Sequence, residues 1–287
     1  MIHLKSSREI EIMARGGQLL AATLQLLRSK VRPGISTKDL DAVADDFIRS
    51  HQGASAAFKG LYGFPGSVCI SINEEIVHGI PAAKRVLKAG DIVSLDFGVK
   101  LGGYYTDAAI TVPVGEIDAT NQRLLDVTRQ ALDAGVAAAQ VGNHVGDIGA
   151  AISAVVRPAG FTTAADLVGH YVGTKPHGDP QIPNFGKPKR GTKLQSGLTI
   201  AIEPMVNVGG SAIRTLSDKW TVVTADGSRS AHFEHTVVIL DDGPKVLTAL
   251  AEGAGDRKWQ GEATVLRNAS SARVGCSQAQ AGAARHS

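Results

Sequence analysis

At 287 residues, with 43% hydrophobic side chains and 30 basic residues against 27 acidic, the chain can fill a sizeable core and carries a net charge of only +3. That balance argues against DNA or another polyanionic partner, and no stretch reaches the eighteen or so apolar residues of a membrane span. The two cysteines, Cys69 and Cys276, lie far apart and suggest no disulfide framework, and the N-terminus has no basic segment followed by an apolar one, so a cytoplasmic setting is expected.

Taken in chain order, Ser6 with Glu9 three residues on predicts a capping box, and Ile10, Met13, Leu20, Leu24 and Leu27 recur with helical spacing over a helix from Ser7 to Lys30. Pro33-Gly34 ends that helix. Ser36 with Asp39 opens a second, amphipathic one through Leu40, Val43, Phe47 and Ile48. Strands are expected from Ser67 to Asn73, Asp91 to Val99 and Tyr104 to Val112. The plan then recurs. Asn121 to Ala139 is helical, Val141-Gly142 breaks it, and a helix opening at Val145 runs through Ile152 and Val155. Strands follow from Thr199 to Glu203, Trp220 to Thr224 and His232 to Leu240. Aligning Gly34 with Gly142 also aligns Asp39 with Asp147 and Leu40 with Ile148, a constant offset of 108 that suggests two related halves. Helices segregated from mostly antiparallel strands indicate an α+β fold. Residues 1–250 read as one domain, and residues 251–287, rich in Ala, Gly, Ser and charge, as a low-complexity, disordered tail.

The segment SLDFGVKLGGYYTDAA raises the chemical question. It reads as a hairpin with one aspartate on each strand, Asp96 and Asp107, among apolar neighbours. With the turn centred between Leu101 and Gly102 the two aspartates are directly opposed. With the turn on Gly102-Gly103 the pairing shifts, yet both still project from one face. Like charges so close repel. A protonated carboxyl, an intervening cationic side chain or a metal ion would each offset the repulsion.

Other segments narrow the choice. Ionisable residues stand beside apolar runs at His78 (NEEIVHGIP), His170 and His177 (LVGHYVGTKPHGDP), Glu203 (TIAIEPM) and Glu234 (AHFEHTVVIL), where an unpaired charge would be costly. Asp96, Asp107, Glu203 and Glu234 with a neutral His170 carry a formal charge of about minus four, which two divalent cations neutralise. A donor set of oxygens with one nitrogen suits Mn, Fe, Co or Zn. Cys69 is not required as a ligand.

In the contexts NEEIVHGIP, DIVSLDFG, GYYTDAA, GHYVG, IEPM and FEHT, this order of residues resembles bacterial type I methionine aminopeptidase of the pita-bread fold, over about residues 4–248. The resemblance implies two halves related by a pseudo-twofold axis around a dimetal site. Asp107 and Glu234 would bridge the metals, Asp96 would complete one site, and His170 with Glu203 the other. It further implies hydrolytic removal of an N-terminal methionine from peptides and nascent proteins by a metal-activated water. Glu203 would be the general base, His177 would stabilise the oxyanion and His78 would contact the scissile amide. Phe64, Cys69 and Trp220 match the apolar pocket for the methionine side chain. A monomer acting on nascent chains, with transient ribosome contact through Lys187, Lys189, Arg190 and Lys193, also fits, although those four read more simply as a solvated loop.

Four positions depart from the family pattern. Tyr171 stands for a Gly after the metal-binding His, Pro176 for a larger apolar residue, Gly178 for a Glu after His177, and His232 for a Gln before FEHT. Tyr171 is expected to narrow the cleft or tilt His170. Two rivals remain: a proline-specific pita-bread peptidase, which usually has Gly where Met205 follows Glu203-Pro204, and a catalytically impaired pita-bread binding protein.

Overall fold

In the computed structural model, residues 2–249 are described. The predicted tail, with Cys276, lies outside the described residues.

Four helices form where the periodicity places them: α1 (Ser7–Lys30), α2 (Thr37–Arg49), α3 (Ala119–Ala138) and α4 (Val145–Val156). Their starts have local causes. The Ser6 hydroxyl accepts from the Glu9 N–H while the Glu9 carboxylate accepts from the Ser6 N–H, and Ser36 with Asp39 repeats the arrangement at α2. Asp118 caps α3 through the Asn121 N–H, two residues earlier than the sequence suggested. At α4 the Asp147 carboxylate accepts from the His144 N–H.

The strands are β1 (Ala54–Ala56), β2 (Cys69–Ile72), β3 (Glu75–Val77), β4 (Ile92–Leu101), β5 (Tyr104–Pro113), β6 (Thr162–Thr163), β7 (Gly169–Tyr171), β8 (Gly178–Ile182), β9 (Thr199–Ile202), β10 (Met205–Asn207), β11 (Ile213–Thr215), β12 (Val222–Thr224), β13 (Ser230–His232), β14 (Glu234–Leu240) and β15 (Gly243–Val246). The main sheet has the order β1-β4-β5-β14-β9-β7-β8, with β2 also on β4 and β15 also on β14. Every pairing in it is antiparallel.

Two cores follow the two halves. One packs Leu20, Leu24, Leu27, Leu40 and Ile48 of α1 and α2 against Val93, Leu95 and Phe97 of β4. The other packs Leu124, Leu132, Ile148 and Ile152 of α3 and α4 against Ile200, Ile202, Val237 and Ile239 of β9 and β14. Between the helices of each pair, Gly34 and Gly142 have φ of 88° and 92°, a left-handed conformation at the two positions the 108-residue offset relates. The repeat is therefore present in the backbone. Among the described residues no helix is long and apolar enough to cross a membrane.

The hairpin resolves the register question. Asp96 pairs with Ala109 and Asp107 with Gly98, so the turn sits on Gly102-Gly103 and the aspartates are diagonal neighbours instead of directly opposed. Both glycines have positive φ, 58° and 88°, which selects this turn over the one centred at Leu101-Gly102.

Candidate metal centre

Five ionisable side chains converge from five strands that are neighbours in the main sheet. Asp96 lies on β4, Asp107 on β5, Glu234 opens β14, Glu203 directly follows β9 and His170 lies on β7. Register explains why they share a face. Ala109 pairs with both Asp96 and Glu234, and Asp107, two residues before Ala109, projects to the same side. One step beyond the His235–Ile202 pair sets Glu234 across from Glu203. His170 pairs with Ala201, two residues before Glu203. At the seam between the halves, Thr236 Oγ1 accepts from the Asp107 N–H and donates to the Asp107 carbonyl, both at 2.8 Å. A side chain there extends the short β5–β14 ladder and fixes Asp107.

The charges on this face are costly without a counterion. Asp96 and Glu234 are 8% and 2% exposed, and Asp96 Oδ1, Asp107 Oδ1 and Glu234 Oε1 are buried with no hydrogen-bond partner. Burial first, then the neighbouring carboxylates, pushes Asp96 and Glu234 well above the usual carboxylate range, and burial raises Asp107 to about 7. Glu203 is raised for the same reasons, burial and Asp107. Burial lowers His170 to about 4, keeping it neutral. Its Nδ1 lies 2.9 Å from the Tyr171 carbonyl, which assigns the proton to Nδ1 and leaves the Nε2 lone pair facing Glu203 Oε1 at 3.3 Å. Ligand atoms of Asp96, Asp107 and Glu234 lie within 4.8 Å of one another, as do those of His170, Glu203 and Glu234. Unpartnered buried oxygens in two such groups fit a pair of divalent cations. Asp107, His170 and His177 form a third close group.

Every site residue expected from the sequence lines one cavity of about 410 Å³. Besides these five side chains it holds His78, His177, Phe64, Cys69 and Trp220. Cys69 on β2 pairs directly with Asp96, so the apolar wall begins one strand from the acidic face. The Phe64 and Trp220 rings meet edge to face at 5.2 Å, and Phe58, Phe64 and Cys69 are buried together. His177 meets His170 at a ring separation of 4.6 Å. His78 holds a left-handed φ of 60°. The next residue must be glycine, because a Cβ on Gly79 would stand 2.1 Å from the Ile70 carbonyl oxygen.

The sequence reading missed several lining residues. Phe58, Leu61 and Tyr62 come from a loop with no periodic pattern, and Tyr62 is 74% exposed, stacked on His177 at 6.0 Å with a φ of 52°. Leu167, Val168 and Met205 also line the cavity. Phe58, Leu61, Leu167 and Val168 carried no sequence signal beyond hydrophobicity.

The expectation that Tyr171 crowds the cleft is overturned. On β7 it is adjacent to His170 and so projects to the opposite face, where it is 7% exposed in the second core. Its hydroxyl accepts from the buried Lys5 ammonium at 2.8 Å. Gly178 is its cross-strand partner, and a Cβ there would meet the Tyr171 ring at 3.1 Å. The two departures are one packing change. Pro176 is half-buried and does not line the cavity. His232 does line it. Lys187, Lys189, Arg190 and Lys193 are all exposed.

The family model for metallopeptidase family M24 matches residues 11–241. The chain belongs to metallopeptidase family M24. Among curated relatives, this M24 peptidase is 50% identical over 250 residues to the methionine aminopeptidase of Clostridium perfringens, covering 87% of this chain and 100% of that one. It is 48% identical to methionine aminopeptidase 1 of Bacillus subtilis, covering 86% and 99%. The crystal structure of methionine aminopeptidase from Thermotoga maritima superposes with a TM-score of 0.85 at 42% identity, over 87% of this M24 peptidase and 100% of that chain. The prolidase from Pyrococcus furiosus, at 20% identity and TM-score 0.71 over 86% and 66%, shares the pita-bread fold alone.

Proposed function

We propose that this M24 peptidase removes the N-terminal methionine from peptides and proteins, using two divalent cations held by Asp96, Asp107, His170, Glu203 and Glu234. The observation that carries the reading is the adjacency of the five-residue acidic face to an apolar pocket through the Cys69–Asp96 pair. When bound, the cations supply Lewis acidity and lower the pKa of water. Glu203 is the base: its carboxylate, beside His170 on the acidic face, takes a proton from the attacking water and returns it to the departing amine. His177, beside His170, donates to the developing oxyanion, and His78 across the cavity holds the scissile amide. Phe64, Cys69 and Trp220 receive the methionine side chain, whose unbranched, polarizable thioether suits aromatic edges.

Any of Mn, Fe, Co or Zn fits these donors. The proline-specific reading has less support, since the relatives at 41–50% identity are methionine aminopeptidases, whereas the Pyrococcus furiosus prolidase stands at 20%. An intact ligand set speaks against an impaired binding protein. The test is to incubate purified protein, supplied in turn with each metal, with Met-Ala-Ser and with Xaa-Pro peptides. Methionine released from the first alone supports the proposal. Cleavage before proline, or no release with any metal, overturns it.

A further inference from the structure

His232 is the one histidine among the described cavity residues to which the proposed mechanism gives no role. It ends β13, is 1% exposed, and neither Nδ1 nor Nε2 has a hydrogen-bond partner. A buried imidazole left so is destabilising unless something in the working state engages it. Its direction is fixed by the backbone. Thr111 Oγ1 accepts from the His232 N–H at 2.8 Å and donates to the His232 carbonyl at 2.9 Å, and Ser94 Oγ lies 2.8 Å from the same hydroxyl. Anchored through β5 in this way, the ring places Nε2 3.7 Å from Glu203 Oε2 and 3.8 Å from Glu234 Oε2.

The two oxygens of Glu203 are therefore divided. Oε1 faces His170 Nε2, while Oε2 faces His232. His232 belongs to none of the three groups whose ligand atoms are close enough to share an ion, so its place is behind the carboxylates and not among the ligands. A carboxylate that binds a metal through one oxygen needs a donor on the other to hold its orientation.

We propose that His232 is a positioning residue of the metal centre, its Nε2–H directed at the outer oxygens of Glu203 and Glu234 so that Glu203 presents Oε1 alongside His170. The inference rests on the metal-centre reading above. It gives this chain an aromatic, rigid donor where a flexible amide would have to be ordered. Closing the 3.7 Å gap takes a shift of under about 1 Å by the Glu203 carboxylate when the repulsion around it is neutralised.

Calorimetric titration of the metal-stripped full chain with Co(II), followed by the visible spectrum of the Co(II) form, tests it. The parent should bind Co(II), and His232→Ala should bind about 10- to 100-fold more weakly with an altered spectrum. His232→Gln, which keeps a donor, should recover most of the affinity, whereas His232→Leu should not. If the alanine variant fails to fold, the Gln and Leu forms decide alone. Equal affinity and equal spectra across the variants would overturn the positioning role while leaving the metal centre intact. An X-ray absorption fit that requires one more imidazole in the parent than in His232→Gln would also overturn it, by making His232 a ligand. A parent that binds no Co(II) overturns both readings.

Discussion

At the scale of single residues, the carboxylates of this site are arranged against their own stability. Asp96 and Asp107 sit diagonally on adjacent strands, buried, each with an oxygen that no protein donor reaches. Asp96→Asn removes one charge from that face at nearly constant shape. In chelator-treated protein it should raise the melting temperature, by a stabilisation of about 1 kcal/mol or more, while methionine release by the metal-supplied enzyme falls below detection. A metal-free variant that melts below the parent would contradict the electrostatic account. Residue types and order made the candidate ligands legible in the sequence, since charges embedded in apolar runs demand a partner. His232 was noted there only as a departure. Its role depends on Thr111, far away along the chain, holding its backbone.

Among the elements, local chemistry decides what the sequence reveals. The first two helices could be bounded to within a few residues because Ser6–Glu9 and Ser36–Asp39 mark their starts. The charge on Glu9 also links α1 to β5 through the Tyr104 hydroxyl, and its hydrogen bonds from Ser6 hold its pKa down at about 2. Its folded value lies below the unfolded one, so the stabilisation is complete above about pH 4.5 and is lost as pH falls toward 2. Glu9→Gln keeps a capping acceptor and removes the charge. It should cost about 0.3–1 kcal/mol at pH 7, a difference that acid unfolding should show shrinking across that window.

Short strands were another matter. Elements of two or three residues such as β6, β7 and β13 are too brief for alternation to declare itself, and they exist because neighbours in the sheet supply their hydrogen bonds. This is why Tyr171 was misjudged: without β7 its face could not be known. The packing of Tyr171 over Gly178 makes a prediction of its own. Gly178→Glu should destabilise the parent by about 1–3 kcal/mol and cost less in a Tyr171→Gly background, a coupling of at least about 0.5 kcal/mol in a double-mutant cycle of denaturant unfolding. Strict additivity would show that the two positions do not share space.

At the largest scale, residues 2–249 form two similar halves joined where β5 meets β14, and the candidate ligands straddle the join. Asp96 and Asp107 come from the first half, His170, Glu203 and Glu234 from the second. The 108-residue offset exposed the duplication in the sequence, but not the order β4-β5-β14-β9-β7 that turns five scattered motifs into one row. That order is a product of long-range pairing. The central claim is that this row holds two ions side by side. Anomalous X-ray scattering from crystals grown with Mn(II) tests it most directly. Two peaks about 3.5–4 Å apart, one bounded by Asp96, Asp107 and Glu234 and the other by His170, Glu203 and Glu234, are the predicted result. Ordered carboxylates with no peak among them at saturating Mn(II) would contradict it.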